Sequence, residues 1–336
     1  MASTIKDIAH ETGLSIATVS KYINGGHLRE KNRIAIKDAI RRLDYQVNEY
    51  ARGLKSNRSK TIGIIIPELC NLFVTQIITV MEAHLRSKGY SIIVCDCHTD
   101  ETIECEVVQF LLGKMVDGIV NMPVCRDGRH LQPVVEKGIP IVLIDRIIPS
   151  LSDYADCVLI DNKTAAYTAT LHLLQNKHRH IGIITGPLNI YTSGQRLEGY
   201  RQALESCGAT YESRFVSHSD YTVQGGYVSM SRLLSQNPDM TAVFVTNYEM
   251  TLGAIIAANE ANVNIPDQLS FIGFDNIDLS RVTHPRLSIV TQPLNEIGTQ
   301  AARLLLQRLQ ENMSVSPASV ILSTSLHENG SVRTLF

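Results

Sequence analysis

Residues 4–25 read TIKDIAHETGLSIATVSKYING, two short amphipathic segments around a glycine. Thr4 with Asp7 three positions on is a capping-box variant that starts a first helix, and Ile5, Ile8 and Ala9 fall on one apolar face. Gly13 ends that helix. Ser15 can cap a second helix whose Val19 and Ile23, four apart, point inward and leave Ile16, Ala17, Ser20 and Lys21 outward. The pattern is that of a helix-turn-helix, whose second helix enters a DNA major groove.

The spacing of Ile36, Ala39, Ile40 and Leu43 predicts a third helix over about residues 31–45, closing a small core over the first two. Charge follows the same division. Residues 1–60 carry 12 Lys and Arg against 6 Asp and Glu, whereas the remainder carries 19 against 27. The overall charge of −2 therefore hides a basic head on an acidic body. A basic patch confined to one small domain is the footprint of a nucleic-acid binder, because phosphate neutralisation supplies most nonspecific affinity.

From Thr61 onward short apolar strands alternate with longer helical patterns, as in parallel α/β construction. IGIIIP, SIIVCDC, DGIVNMP and IPIVLID form one set of strands; HIGIITG, FVSHS, AVFVTN and LSFIGFD form a second. Helical patterns cover about 74–88, 164–175, 196–207 and 250–262. Two sets predict two doubly wound lobes with a cleft between them, where ligands bind at the carboxyl ends of strands. Asp145 with Arg146, Thr185, Asn247, Asp275 and Gln292 stand at those ends. Carboxylate, guanidinium and amide groups together suit a polyhydroxylated ligand, although Asp and Asn also serve ordinary caps and turns.

Other function classes find little support. The 336 residues contain no apolar run of membrane-spanning length and no secretory leader at the start, so a cytoplasmic protein without membrane contact is expected. Seven cysteines without CxxC spacing fit reduced thiols; Cys95 and Cys97 share a strand face and read as buried structural thiols rather than a metal or redox pair. No nucleophile-elbow, phosphate-loop, dinucleotide-binding, zinc-protease or EF-hand motif occurs. His178 and His180 flank Arg179 before a strand and read as a solvated helix end.

With these motifs in hand, the chain resembles the lactose-repressor (LacI/GalR) family of bacterial transcription regulators nearly throughout. TIKDIAHETGLSIATVSKYING is similar to its helix-turn-helix, NEYARGLKSNRSKTIG to its hinge and first core strand, and FVTNYEMTLGA and FIGFDNIDLS to its core signatures. The resemblance implies a periplasmic-binding-protein-like core behind an all-α head: residues 1–46 as head, 47–60 as hinge and 61–336 as core. The first lobe would take about 61–159 and 292–320, the second about 160–291 and 321–336. It also implies a homodimer on near-palindromic operator DNA and a small sugar-like effector in the cleft. No catalysis, cofactor or metal is implied.

By the same resemblance, Ile16, Ala17 and Lys21 read bases, while Thr4, Ser15, Thr18, Asn24 and His27 contact the DNA backbone. Ile16 and Ala17 can pack only on thymine methyls, which leaves Lys21 as the polar reader. Residues 48–55 correspond to the hinge helix, with Asn48, Ala51, Leu54 and Lys55 at the DNA and Leu54 as the minor-groove wedge. Eight residues are too few for a stable isolated helix, so the hinge is expected to order on the operator. The effector residues implied are Phe73, Asp145, Thr192, Arg196, Tyr221, Asn247, Asp275 and Gln292.

Five positions depart from the family pattern. Val47 replaces a proline, Gly53 lies inside the hinge, Tyr248 and Asn276 stand where acids commonly follow Asn247 and Asp275, and Asn329 stands where arginine is common. No heptad segment follows the last strand, so a dimer is expected. Two alternatives share the architecture: a global catabolite regulator docking a phosphorylated carrier protein, and a sugar-binding transport protein.

Overall fold

In the computed structural model, which describes residues 3–23, 26–45, 58–275, 277–311 and 316–336, the chain divides into two units, 1–60 and 61–336. Asn24, Val47, Asn48, Ala51, Gly53, Leu54, Lys55 and Asn276 lie outside the described residues, and with them the expected hinge helix.

The first unit contains α1 (Ile5–Thr12), α2 (Ile16–Ile23) and α3 (Glu30–Arg42). Both expected N-caps are present. The Asp7 carboxylate accepts from the Thr4 backbone N–H at 2.7 Å and from its hydroxyl at 2.8 Å, and Ser15 Oγ accepts from the Thr18 N–H at 3.2 Å. Gly13 stops α1 in the left-handed region, φ 66°, where a side chain is strained. Ile8, Ala9, Val19, Ile36 and Ala39 form the buried core, and Ile23, Ile40 and Leu43 pack at its margin. The third helix ends three residues before the expected Tyr45 because Asp44 turns to φ 44°.

The second unit holds two six-stranded sheets. Strands β1 (Thr61–Ile66), β2 (Ser91–Asp96), β3 (Gly118–Asn121), β4 (Ile141–Ile144), β5 (Ala155–Ile160) and β11 (Ser319–Leu322) form the first, in the order β11-β5-β4-β3-β1-β2 and parallel throughout. The second is built from β6 (Ile181–Thr185), β7 (Val216–His218), β8 (Ala242–Val245), β9 (Ser270–Phe274), β10 (Ser288–Thr291) and β12 (Ser325–His327), in the order β12-β10-β9-β8-β6-β7. Only β12 runs antiparallel there. Strands β3, β4, β6, β8 and β9 are buried along their whole length, the mark of parallel strands covered on both faces, whereas the edge strands β2, β7, β11 and β12 are not.

The helices of this unit are α4 (Leu72–Ser87), α5 (Glu101–Gly113), α6 (Gln132–Glu136), α7 (Asn162–Gln175), α8 (Tyr191–Ser206), α9 (Val223–Gln236), α10 (Tyr248–Glu260), α11 (Ile277–Val282) and α12 (Leu294–Glu311). One apolar cluster joins Ile62, Ile64, Val74 and Leu305 of the first lobe to Leu173, Ile183, Tyr200 and Phe274 of the second. The other face of each sheet has its own core, Val108, Leu111, Ile119 and Leu143 in the first lobe and Met230, Val243, Ala254 and Phe271 in the second. The chain crosses between lobes after β5, β10 and β11. The last crossing falls two residues later than expected because β11 stays paired with β5 through Leu322 and Ile160.

In each sheet the strand order reverses beside the first strand, at β1 and at β6. A doubly wound sheet opens its ligand crevice at that switch, outside the carboxyl ends of its strands.

Candidate functional site

On α2 the expected reading face is presented to solvent. Ile16 is 50% exposed, and Ala17, Lys21 and Ser15 are exposed as well. Thr18 is half-buried, its hydroxyl 2.9 Å from Ser15 Oγ. Thr4 and His27 are exposed. An isoleucine, an alanine and one lysine offer two apolar contacts and a single charged donor.

In the core, Arg196 is the best-anchored of the expected effector residues. Helix α8 begins at Tyr191, five residues before the periodicity suggested, so Thr192 and Arg196 lie one turn apart on its buried face. Arg196 Nε donates to Asn162 Oδ1 at 2.8 Å, Nη1 donates to the Thr246 carbonyl, and the guanidinium carbon lies 4.0 Å from the centre of the Phe274 ring. Tyr221 closes over the same helix: its hydroxyl is 3.2 Å from Thr192 Oγ1 and 2.6 Å from Ser193 Oγ. The ring lies flat on Gly186, where a Cβ would fall 2.2 Å from Tyr221 Cζ.

Three of the expected residues have backbones in the left-handed region, Asp145 at φ 70°, Tyr221 at φ 66° and Asp275 at φ 74°. Aspartate tolerates this region, but a tyrosine there is uncommon and costs about 1 to 3 kcal/mol. Such strain concentrates where side chains are aimed for function.

The strand ends also gather carboxylates. Gln292 Nε2 donates to Asp275 Oδ1 at 2.6 Å, and Asn247 Nδ2 donates to Glu249 Oε2 at 2.6 Å. Burial, reinforced by the Asp145 carboxylate, pushes Asp275 up to about 6 against the opposing pull of Arg196 and Gln292. Burial likewise pushes Glu249 up to about 7, helped by the negative charges of Asp275 and Glu68. On the first lobe, Arg146 Nε is 3.4 Å from Asp145 Oδ2 and its Nη1 donates to the Pro123 carbonyl at 3.1 Å. Acceptors of two strengths beside a fixed guanidinium can hold vicinal hydroxyls in one orientation.

Comparison with known proteins decides the family. A description of bacterial regulatory proteins of the lacI family matches residues 4–48, and one of periplasmic binding proteins and the sugar binding domain of the LacI family matches residues 59–328. The chain belongs to the LacI family of bacterial regulatory proteins. It is 33% identical over 342 residues to the HTH-type transcriptional repressor CytR of Escherichia coli strain K12, covering 99% of this chain and 97% of that one. Among solved structures it resembles a complex of the transcriptional regulator CelR with cellobiose, at 28% identity and a TM-score of 0.75 over 98% of this chain and 99% of that one. It also resembles the lac repressor dimer bound to operator and the anti-inducer ONPF, with a TM-score of 0.88 over 99% of this chain and 100% of that one; at 22% identity this likeness concerns the fold. LacI-family members are transcriptional regulators, not enzymes, and this regulator has both parts, a DNA-binding head and an effector-binding core.

Within this LacI-family core one expectation is corrected. His178 is not solvated: it is fully buried, with Nδ1 2.9 Å from Thr241 Oγ1 and Nε2 3.0 Å from the Arg333 carbonyl. Asn247 caps α10 through Oδ1 to the Met250 N–H at 3.0 Å, so its amide is already engaged. Phe73 lies half-buried behind the Asn71 cap of α4 and packs on the apolar cluster. Thr185 is fully buried. Tyr248, where the family commonly has an acid, is followed directly by Glu249, four residues past the end of β8. Asn329 clamps the second lobe by donating to the Leu287 carbonyl at 2.9 Å. Cys97 is buried, and its thiol is pushed up to about 12, as suits an inert packing residue.

A hollow of about 580 Å³ opens elsewhere, lined by Arg281, Arg286, His327 and Glu328. It touches none of the strand-end residues above, and the chemistry of the cleft is the better guide to the effector. Among the described residues no helix is long and apolar enough to cross a membrane.

Proposed function

We propose that the regulator represses carbohydrate-utilisation genes from the cytoplasm as a homodimer on a near-palindromic operator, and that a sugar or sugar derivative in the cleft alters its affinity for that DNA. The observation that carries this reading is Arg196: a buried guanidinium held by Asn162, Thr246 and Phe274, whose charge acts on the Asp275 carboxyl that Gln292 also binds. Such a group orients polar hydroxyls and has little use in packing. The cellobiose complex of CelR supports a carbohydrate as the class of ligand.

On the DNA side, Lys21 reads one base, Ile16 and Ala17 cover thymine methyls, and Thr4, Ser15, Thr18, Asn24 and His27 hold the backbone. Asn48, Ala51, Leu54 and Lys55 act in the minor groove. A coupling of only about 1 to 3 kcal/mol between cleft and head changes operator affinity about 5- to 150-fold. Selection of bound sequences from a randomised DNA pool at physiological salt tests the reading. Enrichment of a near-palindrome supports a dimeric regulator and points to its genes; the absence of any enriched sequence, with and without candidate sugars, overturns it.

A further inference from the structure

Away from the cleft, α5, the loop after β3 and the short 3-10 turn Arg129–Leu131 bring together Cys105, Cys125 and His130. Their two Sγ atoms and a ring nitrogen all lie within 4.8 Å of one another. The His130 side chain is only 2% exposed, and its Nε2 is 3.1 Å from Glu104 Oε1. Glu104, fully buried, also accepts from Asn121 Nδ2 at 2.7 Å, from the Val124 N–H at 2.9 Å and from the Cys125 N–H at 2.6 Å. A carboxylate that only accepts draws the imidazole proton to Nε2. Nδ1 is thereby left as a lone pair, and it is buried without a hydrogen-bond partner.

A buried polar atom without a partner costs about 1 to 3 kcal/mol, and each one in a folded protein calls for an explanation. We propose that Cys105, Cys125 and His130 bind a thiophilic metal ion of the zinc class, with Nδ1 of His130 as the nitrogen ligand and Glu104 orienting the ring. Carboxylate, imidazole and metal in series is the arrangement that fixes the tautomer of metal-binding histidines. Two thiolates and one imidazole are the donors zinc prefers, and the exposed position of Cys105 leaves the fourth site to solvent.

Zinc bonds of roughly 2.3 Å to sulfur and 2.0 Å to nitrogen draw the donors to about 3.5 to 3.8 Å apart, about 1 Å closer than their present limit. Cys105, exposed on α5, can move that far. Cys125 exchanges its 3.4 Å contact with the Glu101 carbonyl for the metal. The step is redox-neutral: two S–H bonds are replaced by two metal–sulfur bonds, and two protons leave to solvent. The loop that carries Cys125 also carries Pro123, whose carbonyl holds Arg146.

The test uses the full reduced chain titrated with Co²⁺ as a spectroscopic substitute for Zn²⁺. One equivalent is expected to give the thiolate charge-transfer and ligand-field bands of a tetrahedral site, which one equivalent of Zn²⁺ abolishes. Cys105→Ser, at an exposed position, is expected to lower affinity at least about tenfold without unfolding the chain. Cys70→Ser, an exposed thiol outside the cluster, leaves the bands unchanged. Absence of the bands, or bands indifferent to Cys105→Ser, overturns the proposal.

Discussion

Arg196 Nε donates to Asn162 Oδ1 at 2.8 Å, so the guanidinium at the strand ends of the second lobe is held in place by the first residue of α7. The side chain is set before any ligand arrives, which lowers the ordering cost of binding.

Arg196→Ala is expected to remove the effector response while operator binding persists. Asn162→Ala, which loosens the same guanidinium without deleting it, is expected to weaken effector binding by about 1 kcal/mol, roughly fivefold. Calorimetric titration with the effector and gel-shift titration with operator separate the two. A retained response in Arg196→Ala would sink the assignment.

Gly186 is the floor on which the Tyr221 ring rests. A methyl group there falls 2.2 Å from Tyr221 Cζ, and the ring must swing off Thr192 and Ser193. Because the displaced atoms are the free end of a side chain, Gly186→Ala should cost the fold no more than about 1 kcal/mol and the effector affinity about tenfold. Melting temperature and effector affinity, measured on one preparation, check the split.

Glu249 and Asp275 give the core a pH signature. Their folded values, about 7 and about 6, stand above the ordinary 4.5 and 3.8, so the folded chain prefers both protonated. Their contribution to stability is full below about pH 4 and is lost as pH rises through 6 and 7. Glu249→Gln should therefore gain on the parent chain between pH 5 and pH 8, by at most about 3 kcal/mol. Denaturation midpoints across that range test it, and a constant gap would show that Glu249 titrates in its ordinary range.

Among the described residues of α2, Lys21 is the one cation, on the exposed face formed with Ile16 and Ala17. Lys21→Ala is expected to relax preference at one position of each half-site by about 1 to 3 kcal/mol and to leave the other positions as they were. Selection from a randomised pool with the variant reads this directly; an unchanged preference removes Lys21 from the role.

The sequence alone determined the elements. Caps at Thr4 and Ser15, the stop at Gly13 and the period-3.6 burial of Ile8, Val19 and Ile36 are local signals, and the structure has each of them. The apolar runs that became β3, β4, β6, β8 and β9 were equally plain, because parallel strands are buried on both faces. Tertiary structure decided what those elements bring together. His178 reads as a helix end and is buried, with Thr241 and Arg333 brought to it from distant parts of the chain. Glu249 is an ordinary helix-start acid until the fold buries it and brings Asp275 and Glu68 near. Cys105, Cys125 and His130 have no telling spacing, since their meeting depends on Glu104 drawing the loop after β3 onto α5. Capping and periodicity act over a few residues and are written in order along the chain; the field at a carboxyl or an imidazole comes from whatever the fold places beside it.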